Sequence, residues 1–379
     1  MISTILDHIK DMDPAIRRLC ERIFHINVAT GYTDPPATMY EWIEQQFGTL
    51  DSVREQTVVK ITNRFTLEGS IFNPVRALRP SDQTGNDQAL EQRIRAELAH
   101  RDHFRTPLSD TTADLFGRVR GQHCITASNV AKCDGWHGLV LFDEPHPLHF
   151  GRDQLCDYLD VAFRWIEAVH MRDDEAIYPI IFWHCLPKGS ATQMHGHMQL
   201  AVGKGMHYAR IEQWRRVATA YRAEYGVNYF DDLVKVHAAL GLQLPTIEAT
   251  RSFVHLTPLR QREVVLLADM PPHPTRDHQS LIQPPSGFAD MLYQVIRGLI
   301  EEQGMRTFNV AIAPPPLAQI DDDWCDVPLI ARIGDRGDPL TTRGDIGALE
   351  LYAMGCIVVD PFDVAPVLQR YIQPPGTVG

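Results

Sequence analysis

The chain opens with apolar residues at helical spacing, Ile5, Ile9, Ile16, Leu19 and Ile23, followed by a break at Pro35 and Pro36. This pattern predicts helices over residues 1 to about 57. From residue 58 to 73 (VVKITNRFTLEGSIFN) apolar and polar positions alternate around a Glu68-Gly69 turn, the rhythm of a β-hairpin. A polar loop, SDQTGNDQ, comes next. A strand then ends near Asn129, the turn CDGWHG leads into a second strand through Leu139 to Phe142, and a loop holds Pro145, His146 and Pro147. Leu155, Tyr158, Leu159, Ala162, Phe163 and Ile166 lay one apolar stripe along a helix. Residues 177–183 predict a buried strand, and MHGHMQLAV predicts another after a loop at 187–189.

The later part repeats this order. A strand at 263–268 precedes the Pro-rich loop PPHPTRDH. A helix carrying Phe288, Met291, Leu292, Val295, Ile296, Leu299 and Ile300 follows, and then the strands TFNVAIA and LIARIG around the loop APPPLAQIDDDW. The recurrence points to a degenerate duplication. Residues 207–242 predict two helices ending at Gly241. The class expected is α+β.

A length of 379 residues suits two units better than one small module. The net charge is -12, which argues against a surface built for a nucleic-acid backbone, although a local pocket for a small anion need not share the global sign. No window approaches 18 uninterrupted apolar residues, so no membrane span is expected. Charged residues interrupt the first apolar positions, and a cytoplasmic location is the expectation. Seven cysteines are scattered without a C-x-x-C pair, the usage of reduced, structural thiols.

Chemistry concentrates in KGSATQMHGHMQLAV, residues 188–202. On a strand, the period of two puts His195, His197 and Gln199 on one face. With 17 histidines present, chance supplies on the order of one H-x-H per chain, and requiring Gln two places on cuts that roughly twentyfold. The small residues Gly189, Ser190, Ala191 and Thr192 add a loop whose N–H groups can approach a phosphate.

The segment 195–199, HGHMQ, resembles the H-x-H-x-Q motif of the galactose-1-phosphate uridylyltransferase branch of the histidine-triad superfamily. Residues 63–80, NRFTLEGSIFNPVRALRP, resemble that family's opening hairpin, and 135–146, GWHGLVLFDEPH, its G-x-H-E-V-x-x-x-x-P-x-H strand and turn. Residues 347–369 resemble its closing G-F-E-x-G and P-E-x-A-A-x-x-L run, with Glu350 and Asp363 in matching places. The likeness spans residues 61–379. It implies two fused histidine-triad-like domains, 61–206 and 251–379, each a mainly antiparallel sheet with packed helices. A helical connection (207–250) joins them, and a helical N-terminal extension (1–60) precedes them. A homodimer is also implied.

The resemblance further implies ping-pong nucleotidyl transfer. His197 would attack the α-phosphorus of a nucleoside diphosphate-sugar, and a sugar 1-phosphate or inorganic phosphate would accept the nucleotidyl group. A neutral imidazole is a good nucleophile towards a phosphoanhydride, and two displacements let donor and acceptor use one pocket in turn. Gln199 would hydrogen-bond the phosphoryl group; an amide cannot serve as general base for water, so it favours transfer over hydrolysis. Where relatives place zinc on two cysteines and two histidines, this chain offers His146 and His195 with His100 and His103, a four-histidine site for zinc or iron.

The chain departs from the family at His184, where the uridylyltransferases carry Asn, and at Leu186, Ser190 and Thr192. Asn129 is a candidate for ribose or base, Arg76 and Arg79 for phosphates. Arg332 and Arg336 are candidates to cover the acceptor. A phosphorylase of a nucleotide sugar or dinucleoside polyphosphate and a non-catalytic nucleotide-binding protein stand as alternatives.

Overall fold

The computed structural model describes residues 2–373 apart from 79–86, 101, 271–282, 342, 343 and 345. Arg79, the loop PPHPTRDH and most of SDQTGNDQ lie outside the described residues. Twelve strands occur among those described. They are β1 (Phe24–Tyr32), β2 (Glu55–Asn63), β3 (Gly69–Phe72), β4 (Cys124–Ser128), β5 (Trp136–Phe142), β6 (Tyr178–Cys185), β7 (His197–Gly203), β8 (Thr250–Val254), β9 (Gln261–Ala268), β10 (Thr307–Ala313), β11 (Leu329–Gly337) and β12 (Met354–Ile357).

Eight of them form one antiparallel sheet in the order β4-β5-β7-β6-β10-β11-β9-β8. The order reads the same from either edge, hairpin, returning strand, inner strand, so the duplication in the sequence is a two-fold repeat in space. The halves meet at the β6–β10 seam, where Phe182 pairs with Ala311. In the first half Gln199 lies opposite Leu139 on one side and Phe182 on the other. In the second, Arg332 lies opposite Val265 and Ala311. Gln199 and Arg332 are therefore equivalent positions, as are His197 and Ile330, and His137 and Glu263.

The helices Arg152–Arg172 and Phe288–Glu301 pack on each other and on one face of this sheet. Leu155, Tyr158, Leu159, Ala162, Phe163 and Ile166 are all buried there, as the helical period requires. Met198, Leu200 and Val202 point into the same core, which sends His197 and Gln199 to the opposite face.

The N-terminal region corrects one expectation. Helices do form at Ile5–Lys10 and Pro14–Ile23, the second capped by Asp13, but residues 24–32 are strand β1. It runs antiparallel to β2 over nine residue pairs, Phe24↔Asn63 to Tyr32↔Glu55. The ladder offered by β2 outweighs the local helical spacing. Strands β1, β2, β3 and β12 make a second, four-stranded sheet, so the N-terminal segment and a strand near the other end share one layer. Neither β8 nor β12 stood out in the sequence.

Candidate active site

The strand β7 begins at His197, and the residue before it sits in a crowded turn. Gly196 donates its N–H to Pro145 O, and a Cβ there would lie 2.7 Å from the Phe142 ring. Glycine lets the chain pass between that ring and the Pro145 loop. His197 then donates Nδ1–H to the carbonyl of His195 at 2.7 Å, which fixes the tautomer and leaves the lone pair on Nε2. The ring is 4% exposed, with Phe104 edge-on to it at 5.2 Å. Burial lowers its pKa to about 4, overriding the stabilising His195 carbonyl, so it is neutral at physiological pH.

Gln199 lies on the same face. Its Oε1 is 3.0 Å from His137 Nε2, and its amide nitrogen is 3.3 Å from His184 Nδ1. His137 accepts a 3.0 Å bond from the Cys133 N–H at Nδ1. Asn129 reaches the same group, its Nδ2 3.2 Å from His137 Nε2. Burial lowers the pKa of both His137 and His184, with Arg336 adding to the effect at His184.

The loop ahead of the motif is held from the second half. Leu186 and Ser190 have left-handed φ values of 66° and 78°. The N–H groups of Ser190 and Ala191 bond to Pro187 O and Leu186 O inside the turn. Asn309 donates to Gly189 O at 2.6 Å, and Arg336 donates to Asn309 Oδ1 at 2.5 Å. Gly189 is pressed so closely on β10 that a Cβ would sit 2.9 Å from Phe308 O. The N–H groups of Thr192, Gln193 and Met194 have no protein acceptor among the described residues.

The expected metal set is not brought together. His195 places Nδ1 2.8 and 3.0 Å from the Asp102 carboxylate and Nε2 2.7 Å from Phe142 O, so both ring nitrogens are engaged without a metal. His100 and His103 are exposed. His146 instead meets Glu91 at 3.0 Å and stacks on His149 at 3.6 Å between ring centroids. The ligand atoms of Glu91, His146 and His149 lie within 4.8 Å of one another, the one such group found among the described residues. The four-histidine arrangement does not fit this geometry.

Arg76 sits on the short helix Pro74–Ala77 against β2, with no ion pair among the described residues. Arg332 is engaged elsewhere. It donates to Glu263 at 2.7 Å and Glu68 at 2.6 Å. Sequence reasoning missed Asp102, His137, Asn309 and Phe104. Asp102 stands between His100 and His103, and His137 inside the segment GWHG, but only the fold turns them towards His195 and Gln199.

Three solved structures share this architecture. An ADP-glucose phosphorylase from Arabidopsis thaliana with bound ADP-glucose matches with a TM-score of 0.61 at 15% identity, over 82% of this chain and 98% of that one. A GalT-like protein from the same plant matches with a TM-score of 0.56 at 14% identity, over 72% and 92%. The chain has the GalT-like fold of two fused histidine-triad-like units. A uridylyltransferase shares it with a TM-score of 0.53 at 13% identity, over 66% of this chain and 85% of that one. No protein-family model and no curated protein sequence matches. In this GalT-like fold the H-x-H-x-Q strand is β7, and its counterpart β11 reads Ile330-Ala331-Arg332. No helix among the described residues is long and apolar enough to cross a membrane.

Proposed function

We propose that the chain is a nucleotidyltransferase acting through a covalent nucleotidyl-His197 intermediate. The observation that carries this reading is the state of His197. It is neutral, with Nδ1–H anchored on the His195 carbonyl and Nε2 left with its lone pair, and Gln199 follows two residues on along the same strand face. Nε2 attacks the α-phosphorus of a nucleoside diphosphate-sugar, and the bond from phosphorus to the bridging oxygen breaks, releasing the sugar 1-phosphate. A sugar phosphate then attacks the same phosphorus and frees the imidazole. The N–H groups of Thr192, Gln193 and Met194, without a protein acceptor among the described residues, lie on the loop that leads into the motif, where backbone donors suit a phosphate. Gln199 donates its amide to the phosphoryl group.

The structural likeness to an ADP-glucose phosphorylase supports a second acceptor, inorganic phosphate. The experiment offers α-labelled nucleotide sugars to the purified protein. Acid-labile label is expected on wild type and absent from His197→Ala, a loss of about 10⁴-fold or more in turnover. Label that is discharged by inorganic phosphate but not by sugar phosphates selects the phosphorylase. Nucleotide binding without label selects a non-catalytic binder and overturns the proposal.

A zinc-class ion, where bound, fits Glu91, His146 and His149, since two imidazoles and a carboxylate are an ordinary donor set for it. It would tie the helix Asp87–His100 to the loop after β5 and supply structural support. Elemental analysis of untagged protein should find near one equivalent that His149→Ala lowers; no metal in either protein refutes the site.

A further inference from the structure

We propose that His137 is a positioning residue that sets which end of the Gln199 amide faces the reacting phosphoryl group. The inference rests on the reading of Gln199 given above and deepens it.

The hydrogen bonds have a direction. The Cys133 N–H can only donate, so His137 Nδ1, 3.0 Å away, holds a lone pair. The neutral ring then carries its proton on Nε2. That Nε2–H, 3.0 Å from Gln199, can be satisfied only by the amide oxygen. Oε1 is therefore turned to His137, and the NH₂ group is turned towards His184, whose Nδ1 accepts at 3.3 Å. Asn129 Nδ2 also lies 3.2 Å from this nitrogen, with its Oδ1 accepting from Ala131 N–H; with the proton on Nε2 the two nitrogens meet as donors and form no hydrogen bond, so the Cys133 N–H and the Gln199 oxygen set the tautomer. Without this chain the two ends of a glutamine amide are nearly isosteric, and a flip would present a carbonyl oxygen to an anionic phosphoryl group.

His137 is itself held. It is 3% exposed, and its carbonyl accepts from Asn129 N–H at 2.9 Å and from Lys132 Nζ at 3.2 Å. The Lys132 ammonium also donates to Ser128 Oγ at 2.8 Å. The repeat supplies an independent observation. In the second half the residue at the place of His137 is Glu263, and it grips Arg332 at the place of Gln199. In both halves the hairpin strand orients the side chain projecting from its neighbour.

The test compares His137→Phe, His137→Gln and Gln199→Ala. His137→Phe should load label about 10- to 100-fold more slowly, with KM for the nucleotide sugar changed less than kcat and the melting temperature little altered. His137→Gln keeps a donor for Oε1 and an acceptor for Cys133 N–H and should restore most of the rate. In the Gln199→Ala background, His137→Phe should add no further loss, because the two act as one unit. Nitrogen-15 NMR of the free protein should show His137 as the Nε2–H tautomer. Full additivity of the two losses, wild-type loading by His137→Phe, or an Nδ1–H tautomer each overturns the proposal. If Gln199→Ala alone loads normally, the role given to Gln199 fails instead, and the NMR signature still decides whether His137 holds the amide.

Discussion

Two equivalent places in one sheet have been put to different use. On β7 the series on the face away from the packed helices is His197, Gln199; on β11 it is Ile330, Arg332. In the first half the series faces neutral donors and acceptors, His137 and His184. In the second it is filled by charge, with Arg332 between Glu263 and Glu68 and stacked 5.2 Å from Trp214. Burial raises the Glu263 carboxyl, but Arg332 and His255 together outweigh it and hold it well below the usual carboxylate range. Glu68 belongs to the turn before β3, so the ion pairs bolt the N-terminal layer onto the second half. A small cavity lined by Glu68, Trp214, His255 and Phe253 is left on this side, and the Trp214 indole N–H has no partner there among the described residues. A duplicated scaffold thus leaves neutral imidazoles and an amide in one half and places an ion-paired joint at the matching positions of the other.

The difference can be broken at matching positions. Arg332→Ala removes the closest cation from two buried carboxylates and should cost about 3 kcal/mol of stability in chemical denaturation. Gln199→Ala, at the equivalent place, should change stability by less than about 1 kcal/mol. Equal losses would erase the distinction between a joint and a site.

Acid tests the packing around the joint next. His237 is fully buried against Phe253 of β8, donating to Leu233 O and accepting from Leu256 N–H. Burial pushes its pKa down to about 3, with His255 adding to the effect. Below about 6.5 the unfolded chain binds a proton there that the folded chain refuses, so stability falls as pH drops towards 3. The loss is about 2 kcal/mol at pH 5 from this one group. His237→Gln keeps a donor and an acceptor without ionising and should lose less between pH 7 and 5 in thermal melts. An unchanged pH dependence would mean that the joint does not contribute to acid sensitivity.

Much of the fold was legible in the chain. The apolar stripes of the helices Arg152–Arg172 and Phe288–Glu301 and the repeated strand order depend on local periodicity, which a linear pattern carries. So does the shared face of His197 and Gln199, because a strand alternates by construction. Strand β1 was not legible, since its conformation comes from nine pairs with β2. The partners of His195 were hidden for the same kind of reason. Asp102 is 93 residues away, and nothing in its neighbours says that its carboxylate, and not a metal, meets that ring. Local spacing decides which side chains are available on a face; the long-range ladder and the packing of distant loops decide which of them touch, and hence which histidine keeps a free ring nitrogen, which has both engaged and which bonds its neighbour.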